Sequence, residues 1–130
     1  MSSNQTKSIM IGISTAQNII NFLPAVQENI EEFYILETPT SCKEGWGICL
    51  ANAFEAKNIK SINISLARDE ETRIDRISEK LKKILGDKPE PIIWNCGGGQ
   101  KPHSLACWET FRKRVEKGIN DKVCYADQGK

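Results

Sequence analysis

The sequence predicts an α/β fold, a doubly wound and mainly parallel five-stranded sheet with helices on both faces. Three observations carry that prediction. Five short apolar runs, at Ile9–Ile13 and at residues 33–36, 62–66, 92–94 and 123–126, are too brief for helices and read as buried strands. Longer stretches with helical spacing separate them one by one, the alternation that places parallel strands under crossover helices. No repeat, low-complexity tract or linker interrupts the pattern, so residues 1–130 read as a single Rossmann-like domain, large enough to bury a core.

Each element has its own signature. The first helical stretch, residues 16–29, places Ile19, Ile20, Leu23 and Val26 on one face, with Pro24 interrupting it. An interior proline lacks the N–H of the helical ladder, so a kink is expected there, or a second helix with Pro24 in its first turn. Residues 41–56 open with Ser41 three places before Glu44, a capping box, but Gly45 and Gly47 weaken the first turns. Residues 69–85 are the strongest helix: Ile74, Ile77, Leu81, Ile84 and Leu85 recur at helical spacing, acids fill the first turn and Gly86 follows the end. The last helix, residues 102–117, carries Leu105, Trp108, Phe111 and Val115 as its inward face, with Pro102 at its start and Gly118 at its end. Arg112, Lys113 and Arg114 read as a solvated face of that helix.

Charge and composition exclude several functions. The 18 basic and 17 acidic residues nearly cancel, which argues against a broad surface for duplex DNA or an anionic membrane. No stretch approaches the ~20 apolar residues that span a bilayer, and the polar N-terminus is a poor signal peptide. The five cysteines are odd in number and show no close pairing, as expected of reduced thiols in a cytoplasmic protein.

The sharpest chemical feature is Asn95 followed by Cys96, Gly97, Gly98, Gly99, Gln100 and Lys101, between a strand and a helix. Consecutive glycines let backbone N–H groups approach a ligand, the helix start favours an anion, and Lys101 adds a full charge. A flexible connection with an exposed lysine is the alternative. The run is neither a Walker loop nor G-x-G-x-x-G. A second candidate follows the first strand, where Ser14 or Thr15 suits a helix cap and Gln17 and Asn18 come next. With a strand order of 3-2-1-4-5, both loops leave neighbouring strands at the switch point where such sheets bind ligands. Thr38, Thr40 and Ser41 either line the same edge or form a turn with a cap. His103 and Cys107 make an i, i+4 pair, yet no further metal-ligand motif accompanies them, and His103 is expected to be exposed or a polar ligand contact. Trp46, between two glycines, is the tryptophan outside the core pattern. Glu37 and Asp127 close strands without a recognisable partner, and no acid pair or Ser-His-Asp set is present. No metal and no cofactor are expected.

These residues resemble a known family. Ile92-Ile93-Trp94-Asn95, then Gly97-Gly98-Gly99-Gln100-Lys101-Pro102, then His103-Ser104-Leu105-Ala106, is similar to the Asn-x-Thr-Gly-Gly-Thr-Lys-x-Met-x-Leu-Ala pattern of CARF (CRISPR-associated Rossmann fold) domains. The first strand with Gln17-Asn18-Ile19-Ile20 and Pro24, and the later Val123-Cys124-Tyr125-Ala126-Asp127, extend the likeness over nearly the whole chain. It departs from the pattern where Cys96 and Gly99–Gln100 replace the family's threonines. The resemblance implies a homodimeric sensor for a cyclic oligoadenylate, cyclic tetra-adenylate in particular, in type III CRISPR antiviral defence. It further implies an effector half, often a nuclease, which these residues do not include. Gln17, Asn18, Thr38, Asn95, Gly97, Gly98, Gly99, Gln100, Lys101 and His103 would then touch the ligand. The alternatives are a stand-alone, metal-independent ring nuclease that leaves 2′,3′-cyclic phosphate ends, with Ser14, Thr15 and Lys101 as its catalytic residues, and an unrelated Rossmann-like nucleotide-binding protein.

Overall fold

The computed structural model describes residues 7–95 and 101–124. Its five strands are β1 (Ile9–Ile13), β2 (Glu32–Glu37), β3 (Lys60–Ser65), β4 (Ile92–Asn95) and β5 (Lys122–Cys124). All pair in parallel, in the order β3-β2-β1-β4-β5. The predicted α/β class is observed, and the order is the one that sets β1 beside β4.

Strand order and handedness decide where the helices lie. Two strands step outward on one side of β1, and the chain then returns to add β4 and β5 on the other. Right-handed crossovers in opposite directions must cover opposite faces. Accordingly α1 (Ile19–Gln27) and α3 (Trp46–Ala56) pack with Met10, Phe33 and Ile35, while α4 (Ile74–Leu85) and α5 (Lys101–Glu116) pack with Ile9, Ile11, Ile13 and Trp94. A sheet covered on both faces needs side chains of both orientations to be apolar, which is why the strands read as near-continuous apolar runs.

The first three helical stretches depart from expectation in four ways. α1 is one helix with Pro24 inside it, and it buries Asn21, Pro24 and Ala25 while Ile19 and Leu23 are half exposed. The stretch 41–56 is two helices, because Gly45 has a left-handed φ of 76° that ends α2 (Pro39–Glu44) before α3 begins. Thr38 caps α2, its side chain accepting from the Ser41 N–H, so Ser41 is not the cap. α4 starts at Ile74 rather than near residue 69, because Arg73 is extended and residues 67–73 form turns closed by Glu70.

α5 is rotated relative to its apolar pattern. Ala106, Cys107, Thr110 and Arg114 face the sheet, while Leu105, Trp108 and Val115 stand outward, with Trp108 47% exposed. Small residues let the helix approach the buried Trp94. The rotation also turns Arg114 inward, so this residue is not part of a solvated face: it is 1% exposed.

Arg114 meets Asp121 in a buried pair, Nε donating to Oδ2 at 2.6 Å and Nη2 to Oδ1 at 3.0 Å. The remaining guanidinium N–H groups donate to the carbonyls of Leu85, Lys88 and Glu90. Asp121 in turn accepts from the Ile92 N–H and the Trp94 indole, both at 2.8 Å. Every donor of the fork therefore has an acceptor. Ends of α4, β4, α5 and the approach to β5 are tied at one point.

Removing one partner of a buried pair strands the other, at a cost of about 3–5 kcal/mol. Arg114→Leu should lower unfolding stability by that amount in urea titrations. Arg114→Lys should rescue little, because one ammonium cannot replace the planar fork.

Candidate ligand site at the carboxyl edge of the sheet

β1 and β4 are adjacent, with Gly12 opposite Asn95, so the segments after both strands leave the sheet side by side at the order reversal. Residues 96–100, including Gly97, Gly98, Gly99 and Gln100, lie outside the described residues, as does Asp127. At this edge the described residues include a connected set of polar side chains.

The set begins at Asn95, which is buried. Its Nδ2 donates to the Ile20 carbonyl at 2.8 Å and to Asn21 Oδ1 at 3.3 Å. The Ile20 carbonyl is open to this bond because its helical partner would be the N–H that Pro24 lacks. The proline noted as an interruption thus supplies the acceptor that docks β4 onto α1. Asn21 donates from Nδ2 to the Ile13 carbonyl and to Asn18 Oδ1, each at 2.9 Å. Asn18 Oδ1 also accepts from the Thr15 N–H at 3.0 Å, while its Nδ2 donates to the Trp46 carbonyl at 3.1 Å and to Ser14 Oγ at 3.2 Å. Each amide touches a backbone group of fixed polarity, so none of the three can be turned over.

The chain continues through hydroxyls to an acid. Ser14 Oγ lies 2.7 Å from Ser41 Oγ, which lies 2.9 Å from Glu37 Oε2, and the other Glu37 oxygen accepts from Asn63 Nδ2 at 2.6 Å. An ionised carboxylate only accepts. Ser41 therefore donates to Glu37, and Ser14 donates to Ser41. All five donors point the same way, from Asn95 through Asn21, Asn18, Ser14 and Ser41 to Glu37. Glu37 is 2% exposed and rests against the first turn of α3, whose positive end favours an anion. Two glycines make the room: a β-carbon at Gly47 would strike the Glu37 carboxylate, and one at Gly12 would strike Asn21.

The remaining site residues are placed as follows. Thr15 is half-buried, its Oγ1 accepting from the Gln17 N–H, and Gln17 is exposed. Neither Ser14 nor Thr15 caps α1; Asn18 holds that position without a side-chain cap. Thr38 is engaged in capping α2. Lys101 is exposed and opens α5. His103 is not exposed: it is buried, with Nε2 donating to the Glu71 carbonyl at 2.8 Å and Nδ1 finding no partner among the described residues. It anchors the start of α5 to the loop 67–73. The Ala67 N–H and Lys80 hold the Glu70 carboxyl in that loop below the usual carboxylate range, so its support is present at neutral pH and is lost as pH falls through the lowered value.

Sequence reasoning missed Asn21, whose partner Asn95 is 74 positions away, and Asn63, 26 positions from Glu37; it also missed Ser41, only four positions from Glu37, which it read as a helix cap. Asn21 gave no signal, because it lies opposite the face of Ile19, Ile20, Leu23 and Val26 that the spacing picks out. A groove of about 1000 Å³ lies between α4 and α5, where Asp75, Glu79, Glu109 and Glu116 alternate with Lys82 and Lys113. It has mixed charge and stands apart from the reversal of strand order, so size alone does not select the site. No helix of the described residues is long and apolar enough to cross a membrane.

Comparison with known proteins places this architecture. The fold matches Can2 from Sulfobacillus thermosulfidooxidans, solved with cyclic tetra-adenylate, at a TM-score of 0.76 and 19% identity, over 92% of this chain and 32% of that one. It matches protein VC1899 from Vibrio cholerae at 0.75 and 14%, over 92% and 30%. A type III CRISPR defence DNA nuclease activated by cyclic oligoadenylate matches at 0.72 and 16%, over 95% and 19%. The chain thus spans a third or less of each of these structures. No curated protein matches it. The family model described as the Card1 CARF domain matches residues 9–130. With that match covering nearly its full length, the chain belongs to the CARF domain family.

Proposed function

We propose that this chain is a cyclic-oligoadenylate sensor domain that works as a homodimer, with cyclic tetra-adenylate as its ligand. The observation that carries the reading is that β1 and β4 end side by side at the switch point of a CARF fold, with Lys101 exposed at the start of α5. Such a ligand is a ring of phosphates and riboses. The start of α5 offers unsatisfied N–H groups, the positive end of a dipole and the Lys101 ammonium to a phosphate. Thr15 and Gln17 present polar groups from the facing loop, and the glycines at 97–99 allow close backbone approach. Ser14, Asn18 and Thr38 act from behind this surface, because their side chains are engaged within the protein, whereas Asn95 is held through Nδ2 and its Oδ1 has no partner among the described residues. A ring with two-fold symmetry suits two identical subunits, each offering the same loops to half of it.

Sensing is favoured over cleavage by the state of Ser14. Ring opening by a ribose 2′-hydroxyl needs a group that holds it in line with the phosphate. The Ser14 hydroxyl is buried and committed to Ser41 and Asn18, which leaves Thr15 and Lys101 to face the ligand.

Lys101→Ala should weaken binding of cyclic tetra-adenylate by about 1.5–3 kcal/mol, as expected for loss of a charge-assisted contact. Lys83→Ala, on the exposed side of α4, should change it by ~0–1 kcal/mol. Isothermal calorimetry reads both, and equal affinities would remove the site. Sedimentation velocity should find a dimer at micromolar concentration, and a species that stays monomeric under saturating ring would end the shared-site reading. Chromatography after incubation should recover the ring intact; linear products would make this chain a ring nuclease instead.

A further inference from the structure

We propose that Glu37 is a positioning residue for ligand binding: through Ser41 and Ser14 its carboxylate clamps the loop after β1 in the form that meets the ligand. The proposal rests on the cyclic-oligoadenylate reading of the site. Its basis is a buried acid whose hydrogen-bond partners among the described residues, Ser41 and Asn63, are both neutral. Burying a carboxylate is costly, and apolar packing in its place is often as stable. Yet the fold leaves Gly47 without a side chain to admit it, and commits the hydroxyls of Ser41 and Ser14 to reaching from it to Asn18.

The consequence falls on residues 15–18. Asn18 holds the Thr15 N–H through Oδ1 and the first residue of α3 through Nδ2. Ser41 has one proton, and while a carboxylate acceptor holds it Ser41 receives the Ser14 proton, which leaves Ser14 to accept from Asn18 alone. Glu37 is that acceptor. Its effect on the ligand is indirect: it fixes the hydroxyl directions, and the hydroxyls fix the loop that carries Thr15 and Gln17. By the same logic Ser14 shapes the loop and does not itself touch the ligand.

The test measures affinity for cyclic tetra-adenylate together with thermal stability. Glu37→Leu removes the acceptor at similar volume, and Ser41→Ala cuts the chain one link later. Each should weaken binding roughly fivefold to tenfold, the loss of about one hydrogen bond, and the double variant should be no weaker than either alone. Should Glu37→Leu fail to fold, Ser41→Ala alone carries the measurement. Glu37→Gln combined with Asn63→Asp should restore wild-type affinity. The carboxylate introduced at position 63 must accept from the glutamine N–H, which turns the glutamine oxygen back toward Ser41. As a control for stability alone, a core change such as Leu81→Ala should lower the melting temperature and leave the affinity of the folded protein unchanged. If Glu37→Leu and Ser41→Ala bind like wild type while Lys101→Ala does not, the positioning role is wrong and the ligand reading survives. Additive losses in the double variant, or no recovery in the paired exchange, also overturn the role. A wild-type protein that binds no ring removes both.

Discussion

The position of the start of α5 depends on an interaction at its far end. Arg114 engages all five N–H groups inside the protein, on Asp121 and three carbonyls, and among the described residues nothing else joins α4, β4 and α5 so tightly. A helix of 16 residues is a stiff rod of roughly 24 Å. Fixing it near residue 114, and again at His103 against the loop 67–73, leaves its first turn little freedom. The glycine-rich segment is then bounded by two rigid ends, the close of β4 and the start of α5. Such a frame reduces the ordering cost that a loop must meet when it receives a ligand.

The carboxyl edge is stabilised on a different principle. Buried polar groups are costly when unpartnered and specific when matched, and in this set only Asn95 Oδ1 lacks a partner among the described residues. Here three asparagine amides take their orientation from backbone groups, two hydroxyls take theirs from a carboxylate, and the two directions agree where Asn18 meets Ser14. Agreement of independent constraints at one junction singles out one conformation for the loops on either side. An apolar edge could be equally stable, but it would leave those loops free to choose among several.

The sequence was most informative where periodicity and chain order decide the outcome. Five short apolar runs between helical stretches give the parallel sheet, and the glycine run after the fourth strand finds the switch point. Faces of helices were less legible. In α5, apolar residues occupy most of the circumference, so spacing could not tell the stripe at Leu105, Trp108 and Val115 from the side that packs. The choice was made by the size of Trp94 beneath the helix and by Asp121, seven residues beyond Arg114. In α1, Asn21 faces inward because Asn18 and Asn95 await it there, 74 positions apart in the second case. Helix breaks follow the same rule: Gly45 was visible as a weak point, but its left-handed geometry, which separates α2 from α3, is a property of the folded backbone.

The contact between Gly47 and Glu37 makes two positions of the chain a single hereditary unit. A side chain can enter at 47 only once the acid at 37 has become shorter or has gone, and an acid at 37 can be kept only while 47 remains glycine. Lineages of this domain therefore have to cross that pair in a set order, the acid changing first. Positions 12 and 21 are coupled in the same way through the asparagine that fills the missing side chain's place. Where a relative carries a side chain at 47 or 12, the residue at 37 or 21 should be found to have changed as well.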